Sequence, residues 1–238
     1  MGSAWEGIYE SRYGYTFITP LGLLIGSNMS DWTWANINVT GNDWTIDPTG
    51  SFINGNLGIK SVAGSGVFVP KASMNGSYTK EGMPSVAWGP LTYSSSNALA
   101  ITPANLQGKW PVGSTYGMSL EFDADGTFSG TTSAIGLLGA CKLSGSLIQV
   151  TPGSAKNMFY LVMGAVDDSA NVDTGFSDSS LNKLFACRLD TVEAYIGLAG
   201  IVFTPAGNNP QNGYFRTMAF NTMTEQGYAF TNYLRKQP

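Results

Sequence analysis

Carboxylates are the first residues to test for chemistry. Glu6 and Glu10, and Glu121 and Asp123, are each spaced to share one side of a regular strand. Glycoside hydrolysis needs two carboxyl groups at a set separation, one of them with a raised pKa. Nothing in the spacing supplies that separation, so these groups read as solvated strand carboxylates, with a carbohydrate-active enzyme as an alternative. Asp167, Asp168, Asp173 and Asp178 crowd a polar stretch and could offer oxygens to calcium. They lack the order of an EF-hand loop, and a flexible solvated loop is the preferred reading, with calcium the lesser one. Asp123 and Asp125 suit a tight turn, where short side chains bond local backbone groups. No cofactor is expected.

Histidine is absent from all 238 residues. That removes Ser-His-Asp and Cys-His catalysis, histidine-based zinc sites and the easiest general base near neutral pH. No glycine-rich phosphate loop is present. Cys141 and Cys187 have no CxxC spacing and allow one intrachain pairing. A disulfide is expected in a chain of this low-charge, Asn/Ser/Thr/Gly-rich type, two buried thiols being the alternative.

Trp32, Trp34 and Trp44 form an aromatic group. Trp32 and Trp34 fall two residues apart and share a strand face. Turned outward, they would stack on a sugar ring or anchor a protein; turned inward, they would fill a core. The inward, core reading is preferred, and these three residues are the candidate ligand-binding set if they turn outward.

The elements that must position these residues are strands. Met118, Leu120 and Phe122 alternate with Ser119 and Glu121, Asp123–Gly126 supplies a turn, and Thr127-Phe128-Ser129 begins a second run. Similar short runs fill the chain, punctuated at Pro20-Leu21-Gly22, Gly41-Asn42-Asp43 and Asp47-Pro48-Thr49-Gly50. Ala165–Ser180 reads as an acidic excursion between strands. The expected fold is all-β with little helix: two antiparallel barrels or sandwiches in tandem, over residues 4–100 and 101–238. The second start repeats the first, since Trp5-Glu6-Gly7-Ile8-Tyr9 is echoed by Leu106-Gln107-Gly108-Lys109-Trp110.

Charged residues make up only 12% of the chain, with a net charge of -4. Lysine and arginine cluster nowhere before the last six residues, which argues against nucleic-acid binding. No run approaches the roughly 18 apolar residues of a membrane helix. Met1-Gly2-Ser3 reads as an expression scar, in whose place a native signal peptide or lipid-anchor cysteine is expected to have been removed.

Two resemblances add to this reading. Gly108-Lys109-Trp110 near the start of a β domain resembles the lipocalin Gly-x-Trp, which implies a barrel carrying a small apolar ligand. The wider set Leu106–Trp110, Ser119–Gly130 and Gly139–Gly145 resembles the small antiparallel β domains of exported Gram-negative lipoproteins, with Cys187 in the place of their second cysteine. That similarity implies a non-enzymatic protein of the cell surface, outer membrane or periplasm. Its implied role is binding or adhesion to an extracellular protein or glycan, with membrane attachment through an N-terminal lipid. A lipocalin-like carrier is the alternative.

Overall fold

A computed structural model describes residues 4–27, 31–55, 58–111, 117–134, 137–172, 185–206, 211 and 213–236. The chain forms two compact units. One comprises Met1–Leu99 together with Asn221–Thr231; the other comprises Ala100–Phe220 and Asn232–Pro238. Both are β structures, and among the described residues the only helical pieces are 3-10 turns at Ser95–Ala98, Pro103–Leu106 and Ser169–Asn171.

The first unit is a closed antiparallel barrel of calycin-like, up-and-down topology. Its strands are β1 (Gly7–Ser11), β2 (Gly14–Ile18), β3 (Leu23–Ser27), β4 (Trp32–Thr40), β5 (Asp43–Gly55), β6 (Gly58–Val69), β7 (Ser73–Lys80) and β8 (Val86–Tyr93). Each pairs with the next, and β8 returns to β1 through Tyr9↔Tyr93 and Glu10↔Thr92. Closure leaves no free sheet edge and sends alternate residues inward. Tyr9, Ile18, Leu24, Ile37, Trp44, Ile53, Phe68 and Met74 meet there as the core. One inward row runs Trp44, Gly66, Gly76, Trp88 across β5 to β8. The two indoles meet edge to face at 5.8 Å above the bare glycines. A Cβ on Gly76 would stand 2.4 Å from the Trp44 ring, so the row needs its glycines.

The second unit holds a sheet whose order is β9 (Gly108–Trp110), β10 (Ser119–Phe122), β11 (Thr127–Thr131), β12 (Cys141–Gln149), β13 (Phe159–Asp167), β14 (Tyr195–Pro205), β15 (Tyr214–Met223) and β16 (Ala229–Arg235). The connecting end of the last hairpin, Asn221–Thr231, groups with the first unit. Among the described residues β9 and β16 are not paired, and this sheet is an open half-barrel. Side chains span the opening: Lys236 Nζ donates to the Gln107 carbonyl at 2.9 Å, and Asn232 Nδ2 to Met118 Sδ at 3.3 Å.

The two sequence starts share their local geometry. Tyr9 Oη donates to the Trp5 carbonyl, and Trp110 Nε1 to the Leu106 carbonyl, each at 2.7 Å and each four residues back. Gly22 and Gly126 occupy matching turns at φ 85° and 92°, and their carbonyls accept from Ile37 and Leu147 at 2.8 Å. A Cβ at either glycine would lie within 2.5 Å of that neighbouring backbone.

Some punctuation read from the sequence differs. Asp47–Gly50 is no turn between strands; it lies inside β5, where the pairing with both neighbours shifts register. β5 resumes its pairing with β4 and with β6 at Phe52, while Pro48–Ser51 drop out of both ladders, so the local turn residues make a bulge instead of a reversal. The acidic stretch begins later than expected, because β13 continues to Asp167.

Candidate ligand-binding cavity

β1 ends at Ser11 and turns into β2, whereas β8 continues along β7 to Val86. The two strands therefore part beyond Glu10↔Thr92. A cavity of about 740 Å³ occupies the resulting opening. Strand alternation decides what faces it. Tyr9, Thr16, Gly26, Thr33 and Ile53 form one inward cross-strand row. Thr16, Gly26 and Thr33 line the cavity, with Ser11 beside them. Tyr78, Val86, Trp88 and Leu91 form the opposite wall. Trp88 packs edge to face on Tyr78 at 5.3 Å. The arrangement is a hydroxyl-bearing side facing an aromatic and aliphatic side, which suits a small amphipathic molecule.

Asp31 and Lys80, on inward positions just before β4 and at the end of β7, meet at 2.5 Å and are largely shielded from solvent. Around β1, Trp5 stacks on Phe68 at 6.1 Å, and Tyr9 meets Phe68 and Tyr93 at 6.0 and 5.4 Å. Burial raises the pKa of both tyrosines, so these phenols stay neutral. At the cavity rim Arg12 lies over the Tyr13 ring at 4.4 Å and is exposed. The Glu10 carboxylate accepts from Ser94 Oγ at 3.3 Å.

The three candidate tryptophans are divided by the barrel wall. Trp44 points inward, is almost completely buried and donates Nε1 to the Asn75 carbonyl at 3.1 Å. Trp32 and Trp34 point outward. Trp34 stacks on Phe52 with rings 6.5 Å apart and nearly parallel. Trp32 Nε1 donates to Thr231 Oγ1 at 2.8 Å. That contact belongs to a set by which Asn221–Thr231 holds the outer face of β2 to β5. Asn221 Nδ2 donates to the Tyr15 carbonyl at 2.9 Å, Ser27 Oγ to Asn221 Oδ1 at 3.1 Å, and Asn54 Nδ2 to the Gly227 carbonyl. Tyr15, Ser27, Trp32 and Asn54 are cross-strand neighbours on one outward row. Trp32 thus anchors a piece of its own chain.

In the second unit Cys141 and Cys187 form a disulfide. Asp167 sits beside it and accepts from the Ser169 hydroxyl and the backbone N–H groups of Cys187 and Ser169. Those donors hold its carboxyl below the usual range. Asp168 is also lowered, by the Asn171 amide and by the Lys142 ammonium 2.9 Å away. Asp173 and Asp178 lie outside the described residues. Among the described residues no group of three or more Asp, Glu or Cys side chains is arranged to hold a metal ion. Glu121 faces Lys109 at 3.8 Å on the outer surface, while Asp123 belongs to the turn, so the two carboxylates do not converge. A second concavity of about 820 Å³ lies on the outer face of β9 to β13, against Thr191–Ala194; its lining contains no aromatic side chain.

Sequence reasoning did not single out Thr16, Thr33, Tyr78 or Trp88. Each occupies an ordinary alternating position, and only the closure of β8 toward β1 puts them around one space. The Gly-x-Trp motif falls in the open sheet, while the closed barrel carries Gly7-Ile8-Tyr9 in the corresponding place. No protein-family model matches the chain, and neither a curated protein nor a solved structure matches it.

Proposed function

We propose that the N-terminal barrel is a binding protein for a small, largely apolar ligand, acting as a carrier and not as a catalyst. The observation that carries this reading is the cavity of about 740 Å³ between β1–β3 and β8, walled by Tyr78, Trp88 and Leu91. Its size falls in the range of small-molecule sites, and its aromatic wall offers the apolar surface such sites use. The adhesion reading depends on a free Trp32/Trp34 surface, and Trp32 is already bonded to Thr231. The Cys141–Cys187 disulfide supports placing the protein in an oxidising compartment after export.

Nile red, a neutral apolar dye, tests the reading. Wild-type protein should bind it saturably at one site per chain, with the dye's fluorescence rising. Thr16→Phe, which fills the cavity from an inward position, should abolish binding without altering the far-ultraviolet circular dichroism. Absence of saturable uptake by wild type, or equal uptake by Thr16→Phe, refutes the proposal.

A further inference from the structure

We propose that Thr16 and Thr33 are the polar recognition groups of this cavity, and that its ligand is an uncharged ring compound carrying two hydroxyl or carbonyl groups. The inference rests on the carrier reading and specifies what is carried. Thr16 and Thr33 are 5% and 7% exposed, inward-facing and in one cross-strand row. Among the described residues neither hydroxyl has a hydrogen-bond partner in the protein. No fully buried side-chain polar atom is left unsatisfied, so both hydroxyls reach open space, and the open space they line is the cavity. A hydroxyl that faces the cavity bonds water while the cavity is empty, so it costs the fold little until a ligand displaces that water. A ligand lying on this row takes the place of that water and binds well only if it replaces both bonds.

Gly26 stands between them. A Cβ there would come within 2.6 Å of Thr16 Oγ1, so the glycine keeps the floor low and the hydroxyl uncovered. Two strand spacings separate the threonines, roughly 10 Å. A ligand lying along the row can reach both with groups near its two ends, its ring plane toward Trp88 and Tyr78. Charge is disfavoured inside. The charged side chains of the lining are Glu10, which accepts from Ser94, and Arg12, which lies exposed at the rim over Tyr13. Neither stands in the row, and a formal charge buried there would lack a partner.

Three probes of similar shape separate the claims: naphthalene, a naphthalenediol with hydroxyls at opposite ends of the fused rings, and naphthoate. Calorimetric titration of wild type should rank the diol first. Each hydrogen bond is worth about five-fold in affinity, so naphthalene should bind roughly twenty-five-fold more weakly. The double variant Thr16→Val/Thr33→Val should bind the diol no better than naphthalene, keep its naphthalene affinity, and melt at or above the wild-type temperature. Equal wild-type affinities for diol and naphthalene, or an unchanged diol affinity in the variant, would refute the threonine assignment and leave the carrier reading standing. A lower melting temperature in the variant would show that the hydroxyls serve the fold, and would overturn the inference. Tighter binding of naphthoate than of the diol would overturn the uncharged class. Failure of all three to bind wild type would sink the inference, and the carrier reading with it only if Nile red uptake is absent too.

Discussion

Asp167 shows how a residue's neighbours decide its role. As one of four acidic side chains in a polar stretch it reads as a solvated loop residue, with calcium ligation the lesser alternative. Its carboxylate instead accepts from Ser169 and from the Cys187 backbone, fixing the chain next to the disulfide. Because those donors lower its pKa, the stabilisation is fully present above its ordinary value and is lost as pH falls through the lowered one. Asp167→Asn should therefore reduce the melting temperature at pH 7, with the difference from wild type closing in strong acid; a gap that is constant with pH would contradict this. Gly76 makes a second residue-scale case. Gly76→Ala puts a methyl 2.3 Å from the Ser65 carbonyl and 2.4 Å from Trp44. It should cost about 1–3 kcal/mol by overpacking. Gly153→Ala meets no atom within 4 Å, and its cost should be limited to the left-handed φ of 71°, about 1 kcal/mol. Urea denaturation of the two variants measures the contrast. The packed tryptophan needing a glycine opposite it was invisible in the sequence, because Trp44 and Gly76 are 32 positions apart and meet only through strand register.

At the scale of the element, the returning hairpin end is the feature that local pattern did not disclose. Asn221–Thr231 belongs to the C-terminal part of the sequence yet bonds to Tyr15, Ser27, Trp32 and Asn54 of the barrel. Trp32→Phe and Thr231→Val each remove one side of the same hydrogen bond. Trp32→Phe should cost about 1 kcal/mol, Thr231→Val should cost more because Thr231 Oγ1 also donates to Asn221 Oδ1, and the double variant should cost less than their sum. Strict additivity in chemical denaturation would show that the bond does not contribute. Alternation did place the two tryptophans on a common face correctly, since side-chain direction follows the strand period. It could not say which face was outside, because that depends on how the sheet closes. Turn chemistry was similarly legible at Pro20–Gly22 and Asp123–Gly126, where the chain reverses within one hairpin. At Asp47–Gly50 the same residue types keep their local turn chemistry, with Thr49 N–H donating to Asp47 Oδ1 and Gly50 at φ 72°, but they bulge out of β5 between resumed pairings and do not end it.

At the scale of the molecule, the disulfide and the barrel's closure lie in different units. The Cys141–Cys187 bridge spans 46 residues, for which the chain-entropy relation gives about 4 kcal/mol. Reduction should lower the melting transition of the second unit and leave that of the first nearly unchanged. Calorimetry with and without dithiothreitol measures this; equal shifts of both transitions would show that the bridge is not confined in its effect to the half-barrel.

Composition and period-two alternation established, without coordinates, that the protein is all-β, has two tandem β domains with repeated starts, and lacks histidine chemistry. These are local or additive properties, and a chain carries them whatever its partners in space. Whether each sheet closes depended on pairings between strands at opposite ends of a unit. β8 reaches β1 across some eighty residues, while β16 passes β9 with side-chain contacts only. The cavity exists because the first of those pairings stops after two residues. Thr16 and Thr33 became candidates for ligand recognition, and Trp32 an internal anchor, only when that closure had given the barrel an inside and an outside.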